Sequence, residues 1–447
     1  MPLLSPIREI RAAGPTVGTT GDPALLGMFR GDPTNSAQNV NSTTALKIST
    51  VYACVTRRAK TLATLPLQIK KRTDDGGSEV AYNHRLYNQL MKNPNNWQTR
   101  YDWLLMCHGH VLLRGNAYNY IVYHPGRQTN ELIPMDPDRV WPFIIDTNGA
   151  TYFINDNSPA PPPGSKLYYQ YFPINGEVVV LLPHEVLHIK GFSTNGIVGK
   201  NVIQIMRESV GLAMAEEEQG ARLFSNGAQI GKVFTHPKAL GDVAYKRLKK
   251  ELNDNTAGVA NAHRTLLLED GMNMEQATLT MQDAQFLDSR KFQVEDLCSY
   301  LDVPLILIHR SGDKNQTFAS SEVIKSIFVD FTVNSDCTNW EQNLDKTLLY
   351  DSEKSQYFIE FDLKALMRGD TTARTKYIKG RFETGSWSPD DIRRYEGEQA
   401  TGTEEGKAYY AGPGTMPLKL AGQQTNSTNS EPKEPVIKKD GDDDDED

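Results

Sequence analysis

A large basic excess is the first thing the chain lacks. Its 447 residues hold 48 Lys and Arg against 56 Asp and Glu, for a net charge of −8. The last eight residues, Asp440 to Asp447, contain seven acids and no base, so they account for all but one of those charges. A nearly neutral body argues against a protein that grips nucleic acid through a basic surplus. It leaves room for one that handles DNA without holding it. Cysteine is sparse: Cys54, Cys107, Cys298 and Cys337 form no CxxC pair, which fits a reduced compartment and no disulfide framework. The densest apolar run is Val178 to Leu182, far short of the roughly 18 residues a membrane span requires. The opening stretch Met1 to Pro15 has too short an apolar run for a secretory signal. Hydrophobic residues make up 38%, enough for real cores but below the usual ~45–50%. At about 100–200 residues per domain, the length allows roughly two to four domains or one elongated multi-part subunit.

What is present reads as alternating helices and strands. Residues 1–44, rich in Gly, Thr, Pro and Asn, show no periodicity and read as a flexible arm. Ser49-Thr50 are expected to cap a helix carrying Val51, Val55, Leu62 and Leu65, ending before Pro66. Thr99 to Asp102 resembles a capping box and opens a helix that stops at Gly115. Ala117 to Tyr123 follows as a strand. Residues 125–183 are β-rich, with Tyr168, Tyr169, Tyr171 and Phe172 expected to form an aromatic surface. Asn201 is expected to cap one long helix running to Gly227.

Helices are predicted over 242–253, 283–301 and 321–349, the last bending near Asn334-Ser335. Between the first two lie a strand at Thr265 to Leu268 and a turn at Glu269-Asp270-Gly271. A strand at Phe358 to Phe361, a helix from Leu366 to Phe382 and one opened by Ser388-Pro389 complete the pattern. Residues 422–447 read as a disordered acidic tail.

The sharpest catalytic signal is His184-Glu185-Val186-Leu187-His188, a formal HExxH. In a zinc hydrolase the two histidines share one face of a helix and the Glu activates water. Here a β-like run leads in through Pro183 and Gly191 ends any helix early, so the competing reading is a short turn with a half-buried His at a strand start. Cys107-His108-Gly109-His110 offers soft metal ligands, but inside a helix adjacent residues diverge; helix surface is the plainer reading. Gly199-Lys200 lacks the first Gly and the trailing Ser/Thr of a phosphate loop. Lys246, Arg247, Lys249 and Lys250 could touch phosphate or simply form a solvated helix face.

The ordered string of segments resembles the portal proteins of tailed double-stranded DNA bacteriophages, of the Hong Kong 97 type. The segments are Ser49 to Val55 through Pro66, Asn93 to Thr99, Leu112 to Tyr118, Leu132 to Val140, Val186 to Phe192 with Gly196 to Gly199, Leu223 to Gly227, Leu268 to Met272, Asp283 to Arg290, Val303-Pro304 and Leu366 to Asp370. The resemblance spans about residues 45–400, and it is their joint order that is specific.

It implies a mixed α/β (α+β) ring-forming subunit with wing, stem, clip and crown regions, in a homododecamer at one capsid vertex of the virion. The expected division is wing 45–235 and 322–365, stem helices 240–256 and 283–301, clip 258–282, tunnel loop 309–320, crown 366–415 and acidic tail 416–447. Double-stranded DNA would pass through the channel near Arg310, Lys314 and Gln316 of the tunnel loop and Lys246, Arg247 and Lys249 of the stem. Clip residues Arg264, Glu269 and Asp270 would meet the motor or adaptor. The implied partners are the terminase large subunit, which would supply ATP-driven force, the major capsid protein and the head-tail adaptor. Assembly would occur in the host cytoplasm. No catalysis, cofactor, metal or membrane is implied. The alternatives are the zinc hydrolase and a connector or tail-ring protein without a packaging role.

Overall fold

A computed structural model describes residues 34–124, 129–174, 176–225, 232–235, 241, 246–247, 273–276, 281–308, 318–363, 365–366, 371–411 and 416–417. Residues 1–362 and 363–447 form two compact units.

The first unit opens with a helical turn, Ser42–Ala45, capped by Asn41, so the end of the stretch expected as a flexible arm is ordered. Helix α1 (Ser49–Thr64) follows and buries Val51, Val55, Ala59 and Leu62 along one face. Its N-cap is Ile48 rather than Ser49, and no side chain caps it. The buried stripe, not a cap, therefore holds the start in place. Strand β1 (Leu67–Arg72) turns Leu67 and Ile69 inward and pairs with β2 (Ser78–Val80). Helix α2 (Arg100–Arg114) begins as its sequence requires. The Thr99 hydroxyl accepts the Asp102 N–H at 3.2 Å. It ends at Gly115, whose φ of +76° needs glycine.

Strands β3 (Asn116–His124), β4 (Thr129–Met135), β5 (Val140–Ile145), β6 (Thr151–Phe153), β7 (Lys166–Tyr171), β8 (Val179–Leu181) and β9 (Val186–Lys190) build two antiparallel sheets. Their orders are β4-β3-β9 and β6-β5-β7-β8. The aromatic run on β7 is not all surface: Tyr169 is only 4% exposed and belongs to a core with Tyr118, Met135, Val140, Leu181 and Val186. The two-residue period of a strand sends one tyrosine in for each neighbour it sends out.

The expected single helix after Asn201 is two. Asn201 accepts the Gln204 N–H and caps the short turn Val202–Ile205; buried Met206 then leaves helical geometry (φ −91°, ψ 17°) before α3 (Arg207–Ser225). Strands β10 (Lys232–Thr235) and β11 (Asn273–Gln276) pair antiparallel with Thr235 opposite Asn273, so the intervening span leaves and returns at adjacent positions. Helix α4 (Met281–Tyr300) follows.

Helix α5 (Phe318–Ile327) passes into a π-helical stretch, Phe328–Val333, and then α6 (Asn334–Leu348). The irregularity expected at Asn334-Ser335 thus sits one turn earlier, as a widened turn. Strand β12 (Tyr357–Phe361) returns to β1, Phe361 opposite Leu67, completing the order β12-β1-β2.

In the second unit, the helix expected from Leu366 is described from Thr371 as α7 (Thr371–Glu383). Helix α8 (Pro389–Glu396) has a full capping box between Ser388 and Asp391 and stops at Gly397 with φ +82°. Asp390, fully buried, accepts the backbone N–H groups of Thr401 and Gly402, which secures the loop after α8.

Candidate functional site

The HExxH sequence does not form a helix. His184 and Glu185 lie on the single 3-10 turn Pro183–Glu185, and His188 lies on β9. The two histidines therefore do not share the helix face that zinc chelation needs. Glu185 is occupied as a local cap, accepting the Leu182 N–H at 2.8 Å.

His188 is engaged at both ring nitrogens. Nε2 lies 3.0 Å from Asn116 Oδ1, and Nδ1 lies 3.2 Å from the Tyr169 hydroxyl. The same Asn116 Oδ1 accepts the Gly199 N–H at 2.7 Å, while Asn116 Nδ2 donates to the Gly199 carbonyl at 2.9 Å. An amide oxygen can only accept, so Nε2 carries the proton and Nδ1 accepts from Tyr169. Burial, then Lys190 and Lys346, lower the His188 pKa to about 3, which favours this neutral ring. Its imidazole stacks on Tyr118 at 4.3 Å.

This explains Gly199 without phosphate. A Cβ at Gly199 would lie 2.1 Å from the Gly115 carbonyl oxygen, and one at Gly115 2.0 Å from the Lys200 carbonyl oxygen. The end of α2 and the loop before α3 cross backbone to backbone. Three segments of the sequence resemblance, Leu112 to Tyr118, Val186 to Phe192 and Gly196 to Gly199, meet here.

A second hub absorbs the other soft-ligand candidate. Cys107 and His108 are buried, contrary to the surface reading, because they lie on the inward face of α2. Cys107 turns to Asn119 Oδ1 at 3.4 Å, which also accepts from Trp103 Nε1 at 2.7 Å. Trp340 Nε1 donates to His108 Nδ1 at 3.3 Å, which leaves Nε2 to meet Asp336 at 3.2 Å. Arg58 clamps Asp336 with two bonds of 2.6 and 2.8 Å and donates to the Leu301 carbonyl at 3.0 Å. Burial pushes the Asp336 carboxyl up, but His108 and Arg58 together hold it well below the ordinary carboxylate range. The hub thus ties α1, α2 and α6 to the residue just after α4. Among the described residues, no group of three or more His, Cys, Asp or Glu side chains is arranged to hold a metal ion. No helix described is long and apolar enough to cross a membrane.

Of the residues nominated for DNA, Lys246 and Arg247 are described and exposed, on a helical turn. Lys249, Arg310, Lys314 and Gln316 lie outside the described residues, as do Arg264, Glu269 and Asp270 of the expected clip. The strand expected at Thr265 to Leu268 lies outside them too. The structurally central residues that sequence reading missed are Asn116, Arg58 and Asp336. Asn116 had one signal, its place directly after a helix-ending glycine within a resembling segment.

The fold and its hubs define a mixed α/β scaffold in which Cys107, His108 and His188 are bonded into the packing between elements. The chain belongs to the phage portal protein family, whose model matches residues 49–397. It is 25% identical over 389 residues to the portal protein of Enterobacteria phage HK97, covering 86% of this chain and 85% of that one. It is 26% identical over 381 residues to a probable portal protein of Streptomyces phage phiC31, covering 84% and 79%. In fold it is similar to a chain from the neck of a native GTA particle computed with C12 symmetry, at TM-score 0.52 and 19% identity over 84% of this chain and 98% of that one. A chain from the neck of an empty GTA particle computed with C6 symmetry gives TM-score 0.53 at 20% identity, covering 80% and 93%.

Proposed function

We propose that twelve copies of this chain form a ring at one vertex of a phage capsid, through which the genome enters and leaves. The observation that carries this reading is the family match across residues 49–397. The C12 symmetry of the related neck particle supports the number twelve. The wing is assigned to 45–235 and 322–365, the crown to 366–415. The stem helices are 240–256 and 283–301 and the clip is 258–282. The β10–β11 pairing favours this excursion, because it brings the two ends of the span 236–272 together. The tunnel loop is assigned to 309–320, which begins after the turn that ends at Ile308 and takes in the first residues of α5, Phe318 to Ser320.

Within the ring, Arg310, Lys314, Gln316, Lys246, Arg247 and Lys249 lie closest to the DNA. Arg264, Glu269 and Asp270 face the terminase large subunit during packaging in the host cytoplasm and the head-tail adaptor afterwards. The wing meets the major capsid protein in the virion. DNA carries one negative charge per about 1.7 Å of axis, and a conduit that must let it slide cannot hold it by many salt-sensitive contacts. A body near neutrality suits that task. The chain acts as a structural channel, and force comes from the separate ATP-driven motor.

Native mass spectrometry of the purified chain tests the ring. A mass near twelve times 50.0 kDa is expected. A monomer or dimer carrying one zinc per chain would overturn the reading. A DNA-packaging assay with the chain omitted separates a portal from a connector: packaging should be lost.

A further inference from the structure

Cys54 on α1 and Cys298 on α4 are 244 residues apart in sequence, yet their sulfurs lie 3.5 Å apart in the core. Both side chains are buried. The other two cysteines stand elsewhere: Cys107 against Asn119, and Cys337 on α6 beside the Arg58–Asp336 clamp. The pair is thus singled out by contact and not by spacing, which is why no sequence motif announces it.

We infer that Cys54 and Cys298 are a site of covalent modification, closing to a disulfide with a small peroxide and stapling α4 to α1. A disulfide needs the sulfurs about 2.05 Å apart, so closure draws them together by roughly 1.5 Å. Rotation about the two Cα–Cβ bonds and a slight approach of two helices already in contact can supply this. A cleft of about 40 Å³ lies about one helical turn from the pair, lined by neither cysteine. It is lined by Ile48, Ser49 and Thr50 at the start of α1 and by Gln293, Val294 and Leu297 of α4. Thr50 and Val294 each precede a cysteine by one helical turn. That volume exceeds the ~10–15 Å³ one water-sized molecule occupies, which suits hydrogen peroxide.

The chemistry balances. One sulfur, as thiolate, attacks a peroxide oxygen and becomes a sulfenic acid as the O–O bond breaks and the first water leaves. The second sulfur attacks the sulfenic sulfur, the S–O bond breaks, and the second water leaves. Two thiols and one hydrogen peroxide give one disulfide and two waters; the sulfurs together lose two electrons and the peroxide gains them. The hydrogen bond between the thiols, together with burial, pushes the Cys54 thiol up, so the reaction is slow at neutral pH and quickens in alkaline buffer. A reducing cytoplasm keeps the pair as thiols, and an oxidising exterior closes it.

The test uses the full chain. It is incubated with hydrogen peroxide at about pH 8.5, the ordinary cysteine pKa, and in parallel at about pH 10, because the Cys54 thiol is pushed above that value, then denatured and alkylated. The expected result is two alkylated thiols per chain instead of four. A peptide map should show one cross-link, Cys54 to Cys298, and the thermal midpoint should rise, with the rise reversed by dithiothreitol. Four alkylated thiols would overturn the inference. So would oxidation confined to Cys107 and Cys337, or intermolecular dimers in place of the internal cross-link. A cross-link with a lowered midpoint would show that the native geometry does not accommodate it, and would equally overturn the staple. Cys107→Ala should leave the cross-link intact, whereas Cys298→Ala should abolish it.

Discussion

Asn116 carries more of the fold than its size suggests. One side chain satisfies both backbone groups of Gly199 and fixes the proton on His188. Replacing it with alanine strands a backbone N–H, a carbonyl and an imidazole N–H in the interior. At about 1–3 kcal/mol for each buried polar group left unpaired, the three together imply that Asn116→Ala should cost at least about 3 kcal/mol, read from the urea midpoint. His188 itself sets a pH dependence. Its folded-state pKa, near 3, lies below the ordinary value of 6.5, so the unfolded chain binds its proton more readily. Stability should be complete above about pH 6.5 and fall as pH drops from there towards 3. His110, lowered to about 4 by burial and then Arg114, adds to the same slope. His188→Gln cannot titrate, so its stability should vary less over that window. An unchanged slope would assign the effect to other groups.

Between elements, the Arg58–Asp336 clamp decides how α1, α2 and α6 meet. It also reaches Leu301, and Thr332 of the π-helical stretch bonds Asp302 at 2.8 Å, so the hub and the irregular turn are anchored side by side. Removing one member of a mostly buried ion pair leaves an uncompensated charge and costs about 3–5 kcal/mol. Asp336→Ala should therefore destabilise by roughly that amount, with hydrogen exchange accelerating first in residues 298–302 and 328–336. Exchange that rises uniformly would mean that the clamp has no local role.

This scale also shows what the sequence makes legible. Thr99, Gly115 and Ser388 mark helix ends because capping is local chemistry within one turn. The π-helical turn, the inward Tyr169 and the Asn116 hub depend on partners 19 to 83 residues away, which no window of local sequence contains. The HExxH was legible in the same way: Pro183 and Gly191 already denied it a helix, and the strand at β9 completed the argument. Of the nominated channel residues, Lys246, Arg247 and Lys249 stand in a basic cluster visible in the sequence, whereas Arg310, Lys314 and Gln316 were reached through family resemblance alone, since neither periodicity nor spacing marks a side chain that faces DNA.

For the assembled molecule, charge placement matters more than charge count. In the proposed ring, twelve copies at −8 would bring about −96 together, and interactions between exposed charges persist over a Debye length of about 8 Å at physiological salt. Spread over contact surfaces, that charge would oppose ring closure. It is instead almost wholly in Asp440 to Asp447, which leaves each body near −1. Tails held more than a Debye length from one another, and away from the tightest part of the channel, repel little. Deleting residues 440–447 should therefore leave the ring intact by native mass spectrometry. The shortened chain should also assemble with less dependence on salt than the full chain, because the residual repulsion that salt screens has been removed. Loss of the ring on deletion would show that the acids make assembly contacts. An unchanged salt dependence would place the relevant repulsion in the body rather than the tail.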